Sequence, residues 1–254
     1  MEKTIQEYQN DLAWDSPAEA REKAIRQLQT IDEKDLPLLV QPSGKEHWDG
    51  AAEVIAGIDY PGVRSIVPEL LAWLQDLNWP GSEVIATLLR DIGEPLVPEL
   101  QRVLAEHAAD QEWIYSIIRS ILNPWPRELV ACLKPELLNM ARHFANDLEA
   151  IVLLHKCGLE PVTALTELLD EKEQSTLSRI HLLKLEHADV DCKEFRSRFQ
   201  EELYRRDAAR DIKGFMEKVQ RQLTYCGKIE ECNNYLEELE NTRCEIARSQ
   251  NKKI

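Results

Sequence analysis

The chain has 254 residues, 43% of them apolar and 30% charged, with a formal net charge of −15. Its length and apolar fraction are those of a folded protein with a sizeable core, which excludes wholesale disorder. No apolar run approaches the roughly 20 residues of a membrane-spanning helix, and the polar start "MEKTIQEYQNDLAWDS" lacks a signal peptide's apolar core, so a cytoplasmic protein is expected.

The first strong signal is "DSPAEA" at 15–20, where Ser16 can cap a helix, Pro17 suits its first position and Glu19 completes a capping box. Ala24, Ile25 and Leu28 then give an apolar face, and the helix is predicted to end near Thr30. A shorter helix is expected around "EKDLPLL", a loop over "VQPSGKEH" (40–47), and another helix over "WDGAAEVIAGI".

Next comes a phrase written three times: "IVPELLAWL" at 66–74, "LVPELQRVL" at 96–104 and "LKPELLNMA" at 133–141. Proline is tolerated in the first turn of a helix, where its missing N–H costs little. The glutamate beside it meets the positive end of the helix dipole. The leucine begins a buried stripe, continued in the first copy by Leu71, Leu74 and Leu77. Pro-Gly at 61–62 and 80–81 and Gly93-Glu94-Pro95 break the pattern into segments suited to antiparallel helix pairs. "LLHKCGLEPVTALTELL" (153–169) reads as a degenerate fourth copy. Repeats of this length, with two helices per unit, are the signature of an α-solenoid.

After Pro161 no proline occurs, and all six tryptophans lie before residue 126. "HADVDCKEFRSRFQEEL" opens a charged amphipathic helix with Asp191 and Glu194 at cap and N3 spacing, followed by Phe195, Phe199 and Leu203. Two more helices are predicted, around 208–226 and 228–249, with Gly227 ending the first and a frayed "SQNKKI" closing the chain. The fold expected is therefore all-α: a solenoid over 1–170, then a C-terminal helical hairpin or small bundle over 171–254.

The charge is unevenly spread. Residues 1–192 hold 17 Lys and Arg against 34 Asp and Glu, whereas residues 193–254 hold 14 against 12. An acidic body repels duplex nucleic acid and anionic membrane and favours a basic protein as partner. The six cysteines, at 132, 157, 192, 226, 232 and 244, form no C-x-x-C pair and read as free thiols. The densest polar cluster, "RIHLLKLEHADVDC", offers His181, Glu186, His187, Asp189, Asp191 and Cys192. Its two histidines are six apart, on poorly aligned helical faces, so no metal site is expected. No phosphate loop, dinucleotide fingerprint, nucleophile elbow or zincin motif occurs, so neither catalytic residues nor a cofactor is expected.

"LAWLQDLNWPG" (71–81), with "LLVQPSGKEHWDGAAEVI" before it and "EWIYSIIRSIL" after, resembles an uncharacterised bacterial family of short HEAT-like proteins. That family carries a similar Trp-Leu-Gln-Asp-x-Asn-Trp-Pro signature followed by an acidic-Trp helix. The likeness covers roughly residues 10–125 and implies a HEAT-like array without implying a reaction. Asp76 and Asn78 suit a helix end and turn, and Trp79 packs under it. Together with Glu112 and Trp113 they are the candidate partner-binding residues. The function expected is a non-enzymatic protein-binding module, in its sharpest form an immunity-type inhibitor of a basic toxin. The alternative is an enzyme or nucleic-acid-processing HEAT-like protein with a site between solenoid and C-terminal helices.

Overall fold

The computed structural model describes residues 3–144, 146–187, 190–205 and 209–251, and within these every regular element is helical. No helix among them is long and apolar enough to cross a membrane. The chain divides into two compact units, Met1–Leu159 and Glu160–Ile254.

Unit 1 begins with α1 (Ile5–Asn10) and α2 (Ala18–Leu28). The side-chain cap falls on α1, not on α2 as the sequence suggests. Thr4 and Glu7 form a reciprocal capping box, and the hydrogen bonds from Thr4 hold the Glu7 carboxyl below its ordinary pKa. At α2 the cap position is Pro17, which has no acceptor side chain, while Ser16 Oγ donates to Asn10 O. A 3₁₀ segment, Glu33–Leu39, and a 3₁₀ turn, Lys45–His47, lead into α3 (Trp48–Ile58).

The three Pro-Glu-Leu phrases open α4 (Val67–Trp73), α6 (Val97–Glu106) and α9 (Lys134–His143), with the proline second in each helix. The same three positions are buried every time: Leu70, Trp73 and Leu74, then Leu100, Val103 and Leu104, then Leu137, Met140 and Ala141. The repeated phrase is thus a repeated way of starting a helix and turning its leucine inward. Pro161 is different, standing as the cap before α11 (Val162–Glu186) rather than inside its first turn.

Between these helices lie α5 (Ser82–Ile92), α7 (Gln111–Ile117), α8 (Arg127–Ala131) and α10 (Asp147–Lys156). α5 packs against α3 and α4, and α10 against α9. Tryptophan side chains tie the layers together by donating to backbone carbonyls: Trp73 Nε1 to Pro80 O at 3.0 Å, Trp113 Nε1 to Leu71 O at 2.8 Å, and Trp125 Nε1 to Arg90 O at 2.9 Å. Each buries a large ring while satisfying its one donor.

Unit 2 holds α11, α12 (Cys192–Tyr204) and α13 (Ala209–Asn251), and α11 runs unbroken through residue 170. Here the predicted hairpin gives way to a single helix, because Gly227 lies in the middle of α13 and does not end it. The physical reason is a seven-residue period. Tyr225, Cys232, Leu239 and Ile246 are all buried, and α13 packs on α11, where Leu165, Leu169, Thr176 and Ile180 are buried at spacings of four and seven. A heptad seam of this kind outweighs the roughly 1 kcal/mol that a mid-helix glycine costs. Arg243 clamps the seam by bonding Asp170 and Glu173, each at 2.7 Å.

Asp191 caps α12 as its spacing predicts, accepting from the backbone N–H of Lys193 and Glu194, and those bonds lower its pKa. The expectation of six free thiols fails at one pair. The start of α12 lies beside α13, and Cys192 and Cys226, with Cα atoms 5.4 Å apart, form a disulfide. Cys132, Cys157, Cys232 and Cys244 are free.

Candidate functional site

The segment between α4 and α5 is a tight turn organised by Asp76. Its Oδ1 accepts from the backbone N–H of Asn78 at 2.8 Å and from Asn78 Nδ2 at 3.0 Å. This is the local side-chain to backbone bonding that Asp and Asn offer turns. Trp79 follows, half-buried, its ring edge-on to Trp48 at 5.6 Å, with Lys45 Nζ lying 5.7 Å from the Trp79 ring centre and 5.5 Å from that of Trp48. The turn closes on Gly81, at φ +78°, where a Cβ would stand 2.6 Å from Ala52 Cβ and 2.9 Å from Trp48 O. Only glycine fits so close to α3 in that backbone conformation.

From this turn α5 runs as a ridge with a recess on each flank. One flank, toward α3, is a groove of about 500 Å³ lined by Asp59, Glu83 and Asp91 over an apolar floor of Ala56, Val84 and Leu88. Asp59 has φ +62° and ψ 172°, backbone values that are essentially glycine territory, and its carboxylate accepts from the N–H of Tyr60 at 2.7 Å. No three acidic, histidine or cysteine side chains among the described residues are placed to share a metal ion.

The other flank is a polar cleft of about 480 Å³ whose lining includes Asn78, Ser82, Arg90, Arg119 and Ser120. Arg119 and Ser120 are carried by a π-helical turn, Ile118–Leu122, that continues α7 and is closed by Asn123 N–H donating to Ile118 O at 2.8 Å. One residue is thereby inserted into the helical register, a feature frequent at functional sites. Before it, Tyr115 is 44% exposed on α7.

The five residues singled out from the sequence separate in the structure. Asp76, Asn78 and Trp79 share one turn, and Asn78 lines the arginine cleft. Glu112 is exposed in the first turn of α7. Trp113 is a correction. At 5% exposure, with its N–H spent on Leu71 O, it is a core residue and presents nothing to a partner. In the His181–Cys192 stretch, His181 is exposed, the His187 ring stacks on Tyr225 at 4.5 Å, Cys192 is bonded to Cys226, and Asp189 lies outside the described residues.

Sequence reasoning missed the two arginines and the flanking groove. A signal for the arginines was present: Arg90 is the only Lys or Arg between Arg64 and Arg102, and Arg119 the only one between Arg102 and Arg127. Isolated cations in long acidic and apolar stretches mark positions where a positive charge has a local task or a local partner. The groove carried no such mark, since its acids are scattered over 33 positions, from Asp59 to Asp91.

Residues 42–152, which contain the turn, the groove and the cleft, match a domain of unknown function, DUF5071. No curated protein and no solved structure matches the chain.

Proposed function

We propose that the chain is a non-enzymatic protein-binding module whose partner is a basic protein, with unit 1 built as a HEAT-like array of helix pairs. The array reading is supported by the three Pro-Glu-Leu helices and their recurrent buried positions. The observation that carries the partner reading is the groove beside α5. Asp59, Glu83 and Asp91 stand over Ala56, Val84 and Leu88, a combination suited to a lysine or arginine side chain. Such side chains lay an apolar stem along apolar surface and keep the charged head at a carboxylate. The unit around the groove reinforces it at long range, since residues 1–159 hold 26 Asp and Glu against 14 Lys and Arg. Immunity-type neutralisation of a basic toxin is one form this binding takes, and it rests on analogy between folds and tasks rather than on the groove itself.

The test is capture from the native host by wild-type chain and by the double variant Glu83→Lys/Asp91→Lys, with mass spectrometry of what is retained. The reading expects a basic protein retained by wild type and lost by a variant whose melting temperature is unchanged. Equal retention by both, or binding of duplex DNA at physiological salt, would contradict it.

A further inference from the structure

We infer that the cleft on the opposite flank of α5 is a carboxylate-binding site, and that its occupant is an acidic side chain of the same protein partner. The assignment of occupant rests on the protein-binding reading above, whereas the chemistry of the cleft does not. Arg119 is exposed, and its guanidinium makes no hydrogen bond or ion pair among the described residues. Arg90 meets Asp91 through Nε alone, at 3.5 Å, so its two terminal nitrogens are uncommitted among the described residues. Two arginines thus line one recess, Arg119 with its whole guanidinium unspent and Arg90 with its two terminal nitrogens, in a unit whose acidic side chains outnumber its basic ones by 26 to 14.

The surroundings are arranged for an anion of modest charge. Asn78, Ser82 and Ser120 make the walls polar, although Ser82 Oγ is already committed to Leu77 O at 2.6 Å and Ser120 Oγ to Ser116 O at 2.6 Å. α5 starts beside this recess with Gly81 as its cap and no side-chain cap hydrogen bond, although the Glu83 carboxylate stands in its first turn and meets part of the helix's positive end. The π-helical turn supplies Arg119 and Ser120 to the cleft, an irregularity with its own cost that a purely structural wall does not require. Glu83 also lines the recess and weighs against a dianion, as does the acidic unit around it. A single carboxylate is what remains: it fits the planar arginine fork and carries one charge. With the acidic groove across the ridge, α5 then reads a partner surface bearing basic and acidic side chains side by side. A pairing of this kind rejects partners that offer only one sign.

The experiment is an NMR titration of the arginine Nε–Hε resonances in the full chain with three probes: N-acetylglutamate amide, its uncharged glutamine counterpart, and inorganic phosphate. The site expects saturable shifts of Arg90 and Arg119 with the glutamate probe and none with the glutamine probe. Arg119→Gln and, independently, Arg90→Gln should each weaken the glutamate probe about tenfold or more, the scale of one charge-assisted hydrogen-bonded contact. Equal response to both amides, no saturable response, or tighter binding of phosphate than of the glutamate probe would overturn the carboxylate assignment. The titration needs no partner, so its failure is distinguishable from failure of the capture experiment. If the titration succeeds and no basic protein is captured, the occupant named here is wrong while the site chemistry stands.

Discussion

Removing the indole of Trp73 tests whether the repeated helix start is what holds unit 1 together. Trp73 is fully buried, its N–H donates to Pro80 O at 3.0 Å, and its ring meets that of Trp48 edge-on at 5.8 Å. A buried tryptophan takes about 150–250 Å² out of water, which at ~25 cal/mol per Å² is roughly 4–6 kcal/mol, an upper estimate because unfolded chains already bury part of it. Large-to-small substitutions at aromatic core sites cost about 3–5 kcal/mol. Trp73→Ala should therefore cost about 4 kcal/mol. Trp73→Phe keeps most of the ring and the edge contact and loses the bond to Pro80, so it should cost about 1–2 kcal/mol. All six tryptophans lie in unit 1, so the fluorescence of the remaining five, excited at the red edge where tyrosine does not absorb, reports on that unit alone in a urea titration. With a slope of about 2 kcal/mol per molar, the alanine variant should move the midpoint by about 2 M. An unmoved midpoint, or equal losses in the two variants, would refute the stapling argument.

Gly81→Ala should destabilise unit 1 by more than about 1 kcal/mol, because it combines a positive φ with contacts to Ala52 and Trp48 that a Cβ cannot share; the same titration reads it. Arg243→Ala should cost about 1 kcal/mol in the thermal unfolding of unit 2, a modest loss because the pairs to Asp170 and Glu173 are only partly shielded. The lowered pKa of Asp191 means that its capping contribution is complete above the unfolded carboxyl value of about 4 and is lost as pH falls through the folded value. Amide exchange at the start of α12 should accordingly quicken on acidification, and Asp191→Ala should abolish that dependence. A thiol titration of the unfolded, unreduced chain should find four reactive cysteines, rising to six after reduction. In the folded chain exposed Cys132 should react before Cys157, whose thiol pKa is raised by burial.

Much of the helix plan was legible because its causes are local. Pro68, Pro98 and Pro135 each announce a first turn, and the apolar spacing after them says which face goes inward. Asp191 was legible for the same reason. Gly227 misled because a glycine argues locally for an end, while the period through Tyr225, Cys232, Leu239 and Ile246 argues over three heptads for continuity. Cys192 and Cys226 are 34 residues apart and meet only because α12 packs on α13. The candidate site was legible at Asp76, Asn78 and Trp79, whose turn is made by neighbours in sequence. Arg90 and Arg119 stand out singly in the sequence, but their sharing a cleft was not legible, because it arises only through packing of α5 against the turn after α7. Trp113 shows the limit from the other side, since its burial depends on the carbonyl of Leu71, 42 residues away.

The central claim is that an acidic unit recruits a basic protein through charge, and the association rate measures it most directly. Complementary charge acts mainly on encounter, raising on-rates by up to a few orders of magnitude at low salt, and the screening length falls from about 10 Å at 0.1 M to about 3 Å at 1 M. With the captured partner, surface-resonance or stopped-flow rates should be followed from about 50 to 500 mM salt, a range chosen to cross that screening regime. The account predicts an on-rate that falls at least about tenfold across the range, an off-rate that changes little, and a shallower salt dependence in Glu83→Lys/Asp91→Lys. An on-rate that stays flat with salt in the wild-type chain would contradict it.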